Sequence, residues 1–478
     1  MGIWGSFQDY LKKIVFFSVI ITPSWSQQTS LTIYNSNFAV VRDNLELELS
    51  KEINEIEFTG IPNTIETQSV MLRSLDPKQT IQIYEQGYRG DVLDQNRMLK
   101  YFEGKSISFE IQHGDTKIIK PGKIIRASQA QSIIEIDGQL RFGLPGTPLF
   151  PRLSNESVLK PALLWKLHSS RTGKTSLELS YIANKLGWRA DYNFVENQQG
   201  SKVSMTAWIT MRNDTLHRFR QAKVKLMAGD VNRLAQNTRQ VFRKEVMAVA
   251  DMASSPSVTE KSLDEFHLYT LQRPITLDSK SSKQIEFIRA ENINITKRYE
   301  YKGSPNVPSN WRDSAPRTGR NFGVGNNTKV GVYRIFKNAK QQGLGMPLPK
   351  GRVRFYRQDD DKQLEFVGEN QIDHTATESE IKLFFGYTFD VTGDRVQTSF
   401  KVNSTKKEAY ESFKIILNNQ KKEAVTVQVL EPLSRWHNWN IVESSQKYEK
   451  TRVNQIVFAI NLEAKETKEI TYTVHYSW

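Results

Sequence analysis

Apolar and polar residues alternate without a break from Leu186 to Phe194: Leu186, Trp188, Ala190, Tyr192 and Phe194 hold one phase, and Gly187, Arg189, Asp191 and Asn193 the other. A period of two is that of a strand with one buried face, so Trp188 and Tyr192 are expected on the core side and Arg189 and Asp191 on the opposite side. The neighbouring stretches SLELSY, KVSMTAWITM and AKVKLMAGD carry the same period and predict, with it, an antiparallel meander of four strands. Strand material recurs at both ends of the chain. SLTIYNSNFAVVRDNLELELSKEINEIEFTGIP opens it, and GKSISFEI, GKIIRA and QSIIEIDGQLRF are short strands at the spacing of a small barrel. FKIIL, AVTVQVLEPL, QIVFAINL and EITYTVHYSW close the chain, with Ile470, Tyr472, Val474, Tyr476 and Trp478 in the inward phase of the last strand.

Two segments leave this pattern. NRLAQNTRQVFRKEVMAVADMA at 232–253 places Phe242, Val246, Val249 and Ala253 at helical spacing, and a Ser-rich linker follows it. GSPNVPSNWRDSAPRTGRNFGVGNNT at 303–328 is rich in Gly, Pro, Ser and Asn, a composition that predicts disorder; Trp311, Arg312, Arg317 and Arg320 are its anchors if it binds. The chain is therefore expected to be mainly β, with several antiparallel sandwich or small-barrel modules, a C-terminal immunoglobulin-like sandwich and one short helical insert. The expected division is 1–26 a signal peptide, 27–148 an N-terminal β domain with a barrel-like part at about 101–146, 149–394 a central β domain and 395–478 the sandwich. The central domain holds the helical insert and linker at 232–262 and the loop at 303–328.

Lys12 and Lys13, the apolar run that follows them and Ser24-Trp25-Ser26 have the order of a secretory signal peptide. Export to a bacterial periplasm or cell surface is the expectation. With 478 residues and no cysteine, such a fold is held by large hydrophobic cores rather than disulfides. Beyond the N-terminus no apolar run is long enough for a membrane helix. A net charge of +14 favours an anionic surface as partner, and export makes that a glycan or envelope protein rather than nucleic acid.

Taken in order, SYIANKLGWRADYNF, MAGDVNR at 227–233, GLGMPLPKGRVRFYRQD at 343–359 and FVGENQIDHTATESEIKLFFGYTFDVTGDR at 366–395 resemble the family catalogued as domain of unknown function 4139 (DUF4139), related to mucoidy-inhibitor-like envelope proteins. The resemblance runs from LTIYNSNFAVVRD to TYTVHYSW. It implies an exported, mostly β protein with no established activity. After His374-Thr375 the chain departs from the family pattern, which has a Pro and a Gly where ATESE stands here.

The chemistry-bearing residues are few. There is no P-loop, no His-Glu-x-x-His and no Gly-x-Ser-x-Gly, and Pro347 and Pro349 remove donors that a phosphate cradle in GLGMPLPKG would need. No cofactor or metal is implied. Asp373, His374 and Glu378 in IDHTATESE form a polar turn that could move a proton, the centre of an alternative reading as a hydrolase of envelope polysaccharide or peptide. The stretch SRWHNWN at 434–440 sets Trp436, His437 and Trp439 beside polar donors, the composition of sugar-stacking sites and interface anchors. The leading expectation is thus a non-enzymatic binding or scaffold protein of the envelope, with Trp436, His437, Trp439, Arg312, Arg317 and Arg320 as its candidate contacts.

Overall fold

The computed structural model describes residues 18–21, 28–90, 94–114, 116–128, 131–151, 160–229, 231, 258–263, 266–304 and 315–478. The helical segment expected at 232–253, and Trp311 and Arg312, lie outside the described residues. The regular elements of the described residues are almost all strands, in five sheets. No helix among them is long and apolar enough to cross a membrane. The described residues of Met1–Trp188, Met211–Ala250 and Ser257–Lys283 form one compact unit, and those of Arg189–Thr210, Asp251–Pro256 and Gln284–Trp478 another.

In the first unit, the stretch expected to be barrel-like is an open five-stranded sheet whose terminal strands Gln139–Phe142 and Thr147–Leu149 do not pair with each other. A helix, Gln95–Tyr101, closes one face of it. Its start is fixed by Asp94, whose side chain accepts from the Arg97 N–H, and it buries Leu99 against Phe109, Ile124 and Ile134. Ser18–Ile21, within the stretch expected to be a signal peptide, pairs in parallel with Glu52–Thr59. Val258–Leu263, expected to belong to the helical insert and linker, is a strand paired with Phe266–Leu271.

The alternation at 186–194 is that of a strand, Leu186–Glu196, with Trp188, Tyr192 and Phe194 buried. The Trp188 indole N–H donates to the Met227 carbonyl at 3.1 Å, and the Tyr192 hydroxyl donates to the Pro349 carbonyl at 2.6 Å. Asp191 is buried as well, although its phase is the outer one. Its Oδ2 accepts from Arg189 at 3.0 Å and from the Thr210 hydroxyl at 3.1 Å, and Arg354 faces Oδ1 at 3.7 Å, so neighbouring charges and a hydroxyl take over part of its hydration. The four predicted strands do not form one meander. Gly173–Asn184 pairs with Phe38–Leu49, whereas Leu186–Glu196 lies in another sheet beside Lys202–Asn213. Lys185, at φ 65°, is the corner between the two, since a period of two sets burial and leaves the partner open.

The second unit carries the nine-stranded sheet, built from β1 (Thr296–Tyr301), β2 (Lys329–Lys337), β3 (Glu380–Asn403), β4 (Glu408–Asn419), β5 (Val425–Pro432), β6 (Trp439–Ser444), β7 (Glu449–Arg452), β8 (Gln455–Leu462) and β9 (Thr467–Ser477). Their order is β6-β9-β4-β3-β2-β1-β5-β8-β7. The sheet folds over into two layers about one core, with Phe413, Ile415 and Tyr472 on one side and Val427, Val429 and Phe458 on the other. The sandwich begins at Thr296 rather than at 395, because β3 runs through that boundary without interruption and β1 and β2 complete the layers.

The same strand order occurs earlier in the chain. Ile275–Leu277, Phe219–Ala228, Thr29–Tyr34, Phe38–Leu49, Gly173–Asn184 continuing through Lys185 into Leu186–Glu196, Lys202–Asn213 and Ser281–Asn294 follow one another as β8, β5, β1, β2, β3, β4 and β9 do. The single parallel pairing falls at the same place in both, Phe219–Ala228 with Thr29–Tyr34 and β5 with β1.

Turn chemistry confirms the correspondence. The Asn213 amide donates to the carbonyls of His217, Leu277 and Asp278 at 2.8, 3.4 and 2.9 Å. The Asn419 amide donates to those of Glu423, Leu462 and Glu463 at 2.9, 3.4 and 2.8 Å. LDSKSSKQIEF at 277–287 matches LEAKETKEITY at 462–472. Lys280 and Lys465 both have positive φ, 52° and 63°, and their ammonium groups donate to the carbonyls of Asp214 and Gln420. The chain therefore contains one strand arrangement twice.

Replacing Asn419 with Ala strands three carbonyls in a buried turn and is expected to cost about 2–3 kcal/mol in urea unfolding, with Asn213→Ala similar. A loss under about 0.5 kcal/mol at both would contradict the clamp. His217, whose ring stands edge-on to Phe219 at 4.7 Å, is depressed by burial from 6.5 to about 4. The neutral imidazole is the form that the fold accepts, so its contribution is complete above pH 6.5 and is lost as pH falls towards 4, by up to about 3 kcal/mol. His217→Gln should flatten the stability-against-pH curve across that window; an unchanged curve would rule the residue out as its cause.

Candidate functional site

The inward phase of the second repeat is not wholly apolar. β4 reads Ala409, Glu411, Phe413, Ile415, Leu417; β5 reads Val425, Val427, Val429, Glu431; and β3 adds Arg395. A charge in this phase must find a counter-charge and a full set of hydrogen bonds, or it destabilises the fold. Both conditions are met. Arg395 Nε donates to Glu431 Oε2 at 2.8 Å with both side chains essentially inaccessible, and the Tyr472 hydroxyl donates to the same oxygen at 2.5 Å. The Arg395 guanidinium lies 3.7 Å from the centre of the Phe413 ring. Burial opposes its charge, but Glu431 and Tyr472 outweigh burial and raise its pKa. Tyr472 is raised as well, by burial and then by the Glu431 carboxylate, so its proton stays on.

Arg435, just after β5, forms a second buried pair. Its Nε and Nη2 donate to the two oxygens of Glu411 at 2.6 and 2.7 Å. The remaining donors do not turn back into the core. Nη1 reaches the carbonyls of Arg317 and Gly319 at 3.0 and 2.7 Å, and Nη2 those of Arg320 and Phe322 at 3.2 and 2.8 Å. Arg395 Nη1 takes the Gly323 carbonyl at 2.8 Å, and Gln397 links Arg320 O to Glu411. The Arg317 N–H donates to the Arg435 carbonyl at 2.9 Å. A planar guanidinium with five N–H groups in fixed directions suits such a task. Gly303 is needed beside it: a Cβ there would lie 2.3 Å from the Arg395 side chain.

The expectation of disorder at 303–328 is thus corrected for residues 315–328. Their composition offers few apolar anchors, chiefly Phe322 and Val324, but their carbonyls are held from below by two arginines that lie 72 and more positions away in the chain. The loop sends its backbone inward and leaves the side chains of Arg317 and Arg320 exposed.

The structure brings together two of the stretches singled out by the sequence, since Arg317 pairs with the backbone of Arg435 in SRWHNWN. Trp436 follows directly, half-buried on the core, with the exposed His437 ring 4.2 Å away. Trp439 is fixed separately: its indole N–H donates to the Val453 carbonyl at 3.0 Å, and Lys450 lies over its ring at 4.5 Å. Asp373, His374 and Glu378 are not assembled into a catalytic group. Asp373 faces Lys350 at 3.6 Å, Glu378 pairs with Lys337 at 2.6 Å, and His374 Nδ1 accepts from the Lys350 N–H at 3.2 Å. All three are exposed in a turn closed by the Leu348–Thr375 bridge. Among the described residues no group of His, Asp and Glu has the arrangement of a metal site.

Sequence reasoning missed Arg395, Glu411 and Glu431, and took Arg435 only as a polar donor beside the tryptophans of SRWHNWN. For Glu411 and Glu431 the signal was present as an acidic residue in the buried phase of an otherwise apolar alternation. The first repeat supplies a comparison within the same chain. At the positions of Arg395, Glu411, Glu431 and Tyr472 it carries Ala190, Met205, Leu226 and Phe287. The strand arrangement forms without the charges, so their task is the loop.

No protein-family model matches the chain, and no curated protein matches it.

Arg435→Met leaves Glu411 buried without a counter-charge and is expected to destabilise by about 3–5 kcal/mol. The double change Arg435→Met with Glu411→Met, which gives position 411 the methionine of the first repeat, should recover most of that loss while exposing residues 317–323 to limited proteolysis. Protection of that segment in the double variant would show that it is held by something else.

Proposed function

We propose that the chain is a non-enzymatic binding protein of a bacterial cell envelope, a member of the DUF4139 family that its motifs resemble, and that it recognises an anionic glycan through the loop at 315–323. The observation that carries this reading is the loop's construction. Two buried ion pairs immobilise its backbone, the side chains of Arg317 and Arg320 are exposed, and the Arg317 backbone pairs with that of Arg435, the residue before Trp436 and His437. Rigid placement lowers the ordering cost of binding, and arginine matches carboxylate and phosphate oxygens in pairs. The net charge of +14 supplies long-range attraction to such a surface. Trp436, half-buried with the exposed His437 ring 4.2 Å away, supplies a flat apolar group of the kind that sugar recognition uses.

An electrostatic contact weakens as the Debye length shrinks from about 10 Å at 0.1 M salt to about 3 Å at 1 M. The chain should be retained by isolated envelope glycan at 0.1 M and released at 1 M, and Arg317→Glu with Arg320→Glu should lower retention at least about ten-fold at the lower salt with no change in melting temperature. Equal retention at both salts, or an unaffected double variant, would exclude this loop as the contact.

A further inference from the structure

The opposite half of β3 carries a different set of residues. On the outer face of the sheet Glu300, Gly331 and Tyr387 stand in one row across β1, β2 and β3, and Arg298, Tyr333 and Phe384 in the next. The register of β2 on β3 slips twice. Phe385 is the extra residue between the pairs Tyr333–Phe384 and Val332–Gly386, and three residues, Phe389 to Val391, lie between the pairs Val330–Thr388 and Lys329–Thr392. Bulges re-aim side chains, and here they turn Tyr387 and Phe389 outward. Phe389 is 95% exposed and Tyr387 53%. Tyr333, Phe384 and Tyr387 form a continuous aromatic surface, with ring centres 5.3 and 5.2 Å apart in succession.

Charge surrounds these rings. Lys382 lies over Tyr333 at 4.3 Å and Lys329 over Tyr387 at 5.3 Å. Beneath them is Glu300, only 5% exposed. One of its oxygens accepts from Lys382, and the other, Oε2, is buried without a hydrogen-bond partner. A buried carboxylate oxygen in that condition destabilises the fold unless a donor arrives. The Tyr333 hydroxyl keeps its proton, its pKa raised by burial and then by Glu300 and Tyr387.

We propose that this face is a second glycan-binding subsite, in which the exposed rings of Tyr387 and Phe389 stack on the C–H face of an acidic sugar residue. Lys382, anchored on the buried Glu300, and Lys329 meet the sugar carboxylate. This rests on the glycan reading of the chain and adds the sugar-contacting surface to it. A stacking contact on apolar C–H groups is distinct from the attraction of Arg317 and Arg320 for charge, and it survives salt. Both subsites are tied to β3, the platform through Phe384, Tyr387 and Phe389 and the loop through Arg395.

The test is titration of the full chain with an oligogalacturonate and with a neutral gluco-oligosaccharide of equal length, followed by calorimetry. Phe389→Ala and Tyr387→Ala are each expected to weaken oligogalacturonate binding about ten-fold at 0.5 M salt without altering the melting temperature, the size of an interface anchor. Lys382→Met should remove the preference for the acidic over the neutral oligomer. Wild-type binding by all three variants, with loss in Arg317→Glu/Arg320→Glu, would overturn the platform and leave the loop reading standing. Loss in the aromatic variants alone would do the reverse. Absence of oligogalacturonate binding by the unaltered chain would overturn both.

Discussion

A charge removed from water must be surrounded by partners that replace its hydration, and in the C-terminal sandwich that requirement reaches from the core to the surface. Arg395 and Arg435 each meet one glutamate inside the fold, and a single carboxylate cannot occupy all five N–H groups of a guanidinium. The donors left over point at the carbonyls of residues 317–323. The loop and the pairs therefore depend on each other: without the loop the guanidinium groups are under-satisfied, and without them the loop has no apolar residue numerous enough to hold it down. Removing one element of the arrangement costs more than exchanging all of it for hydrocarbon, and hydrocarbon fills the same positions in the earlier copy.

That earlier copy separates what the strand arrangement needs from what has been added to it. Both copies keep the asparagine clamp and the positive-φ lysine, which satisfy buried turn carbonyls and fix the hairpins. Only the later copy carries the buried charges at the positions held elsewhere by Ala190, Met205, Leu226 and Phe287. The asymmetry locates function by subtraction. Features shared by the two copies belong to folding, and features confined to one belong to what that copy does.

Most strands were legible because alternation reports burial directly, as Leu186–Glu196 and Thr467–Ser477 illustrate. Partners were not legible. Asp191 stands in the polar phase yet is buried, because Arg189 and Thr210 reach it from positions that only the folded sheet defines. The predicted meander fails at Lys185 for a related reason: one residue of positive φ transfers the chain from one sheet to another, and no periodicity marks it. The loop at 315–328 was misread because its order comes from side chains far along the sequence rather than from its own. Of the candidate contacts, Arg317 and Trp436 came together through the backbone of Arg435, whereas Asp373 faces the Lys350 ammonium, His374 the Lys350 N–H and Glu378 the Lys337 ammonium, so the three do not converge.

The repetition also sets a problem of kinetic specificity. Thr29–Tyr34 is made first and its parallel neighbour Phe219–Ala228 much later, so the slot beside that neighbour stays empty while most of the first unit is still being ordered. β1 would fit the same slot by topology, and in a folding chain the two strands compete for it. What distinguishes them is volume. Leu31 stands opposite Val224, and Tyr301 opposite Val429, where Gly393 leaves room for the tyrosine ring alone; a Cβ there would approach it to 2.3 Å. A leucine in the second slot would leave a void and a tyrosine in the first would have no glycine beneath it, so packing favours the native pairing in each copy.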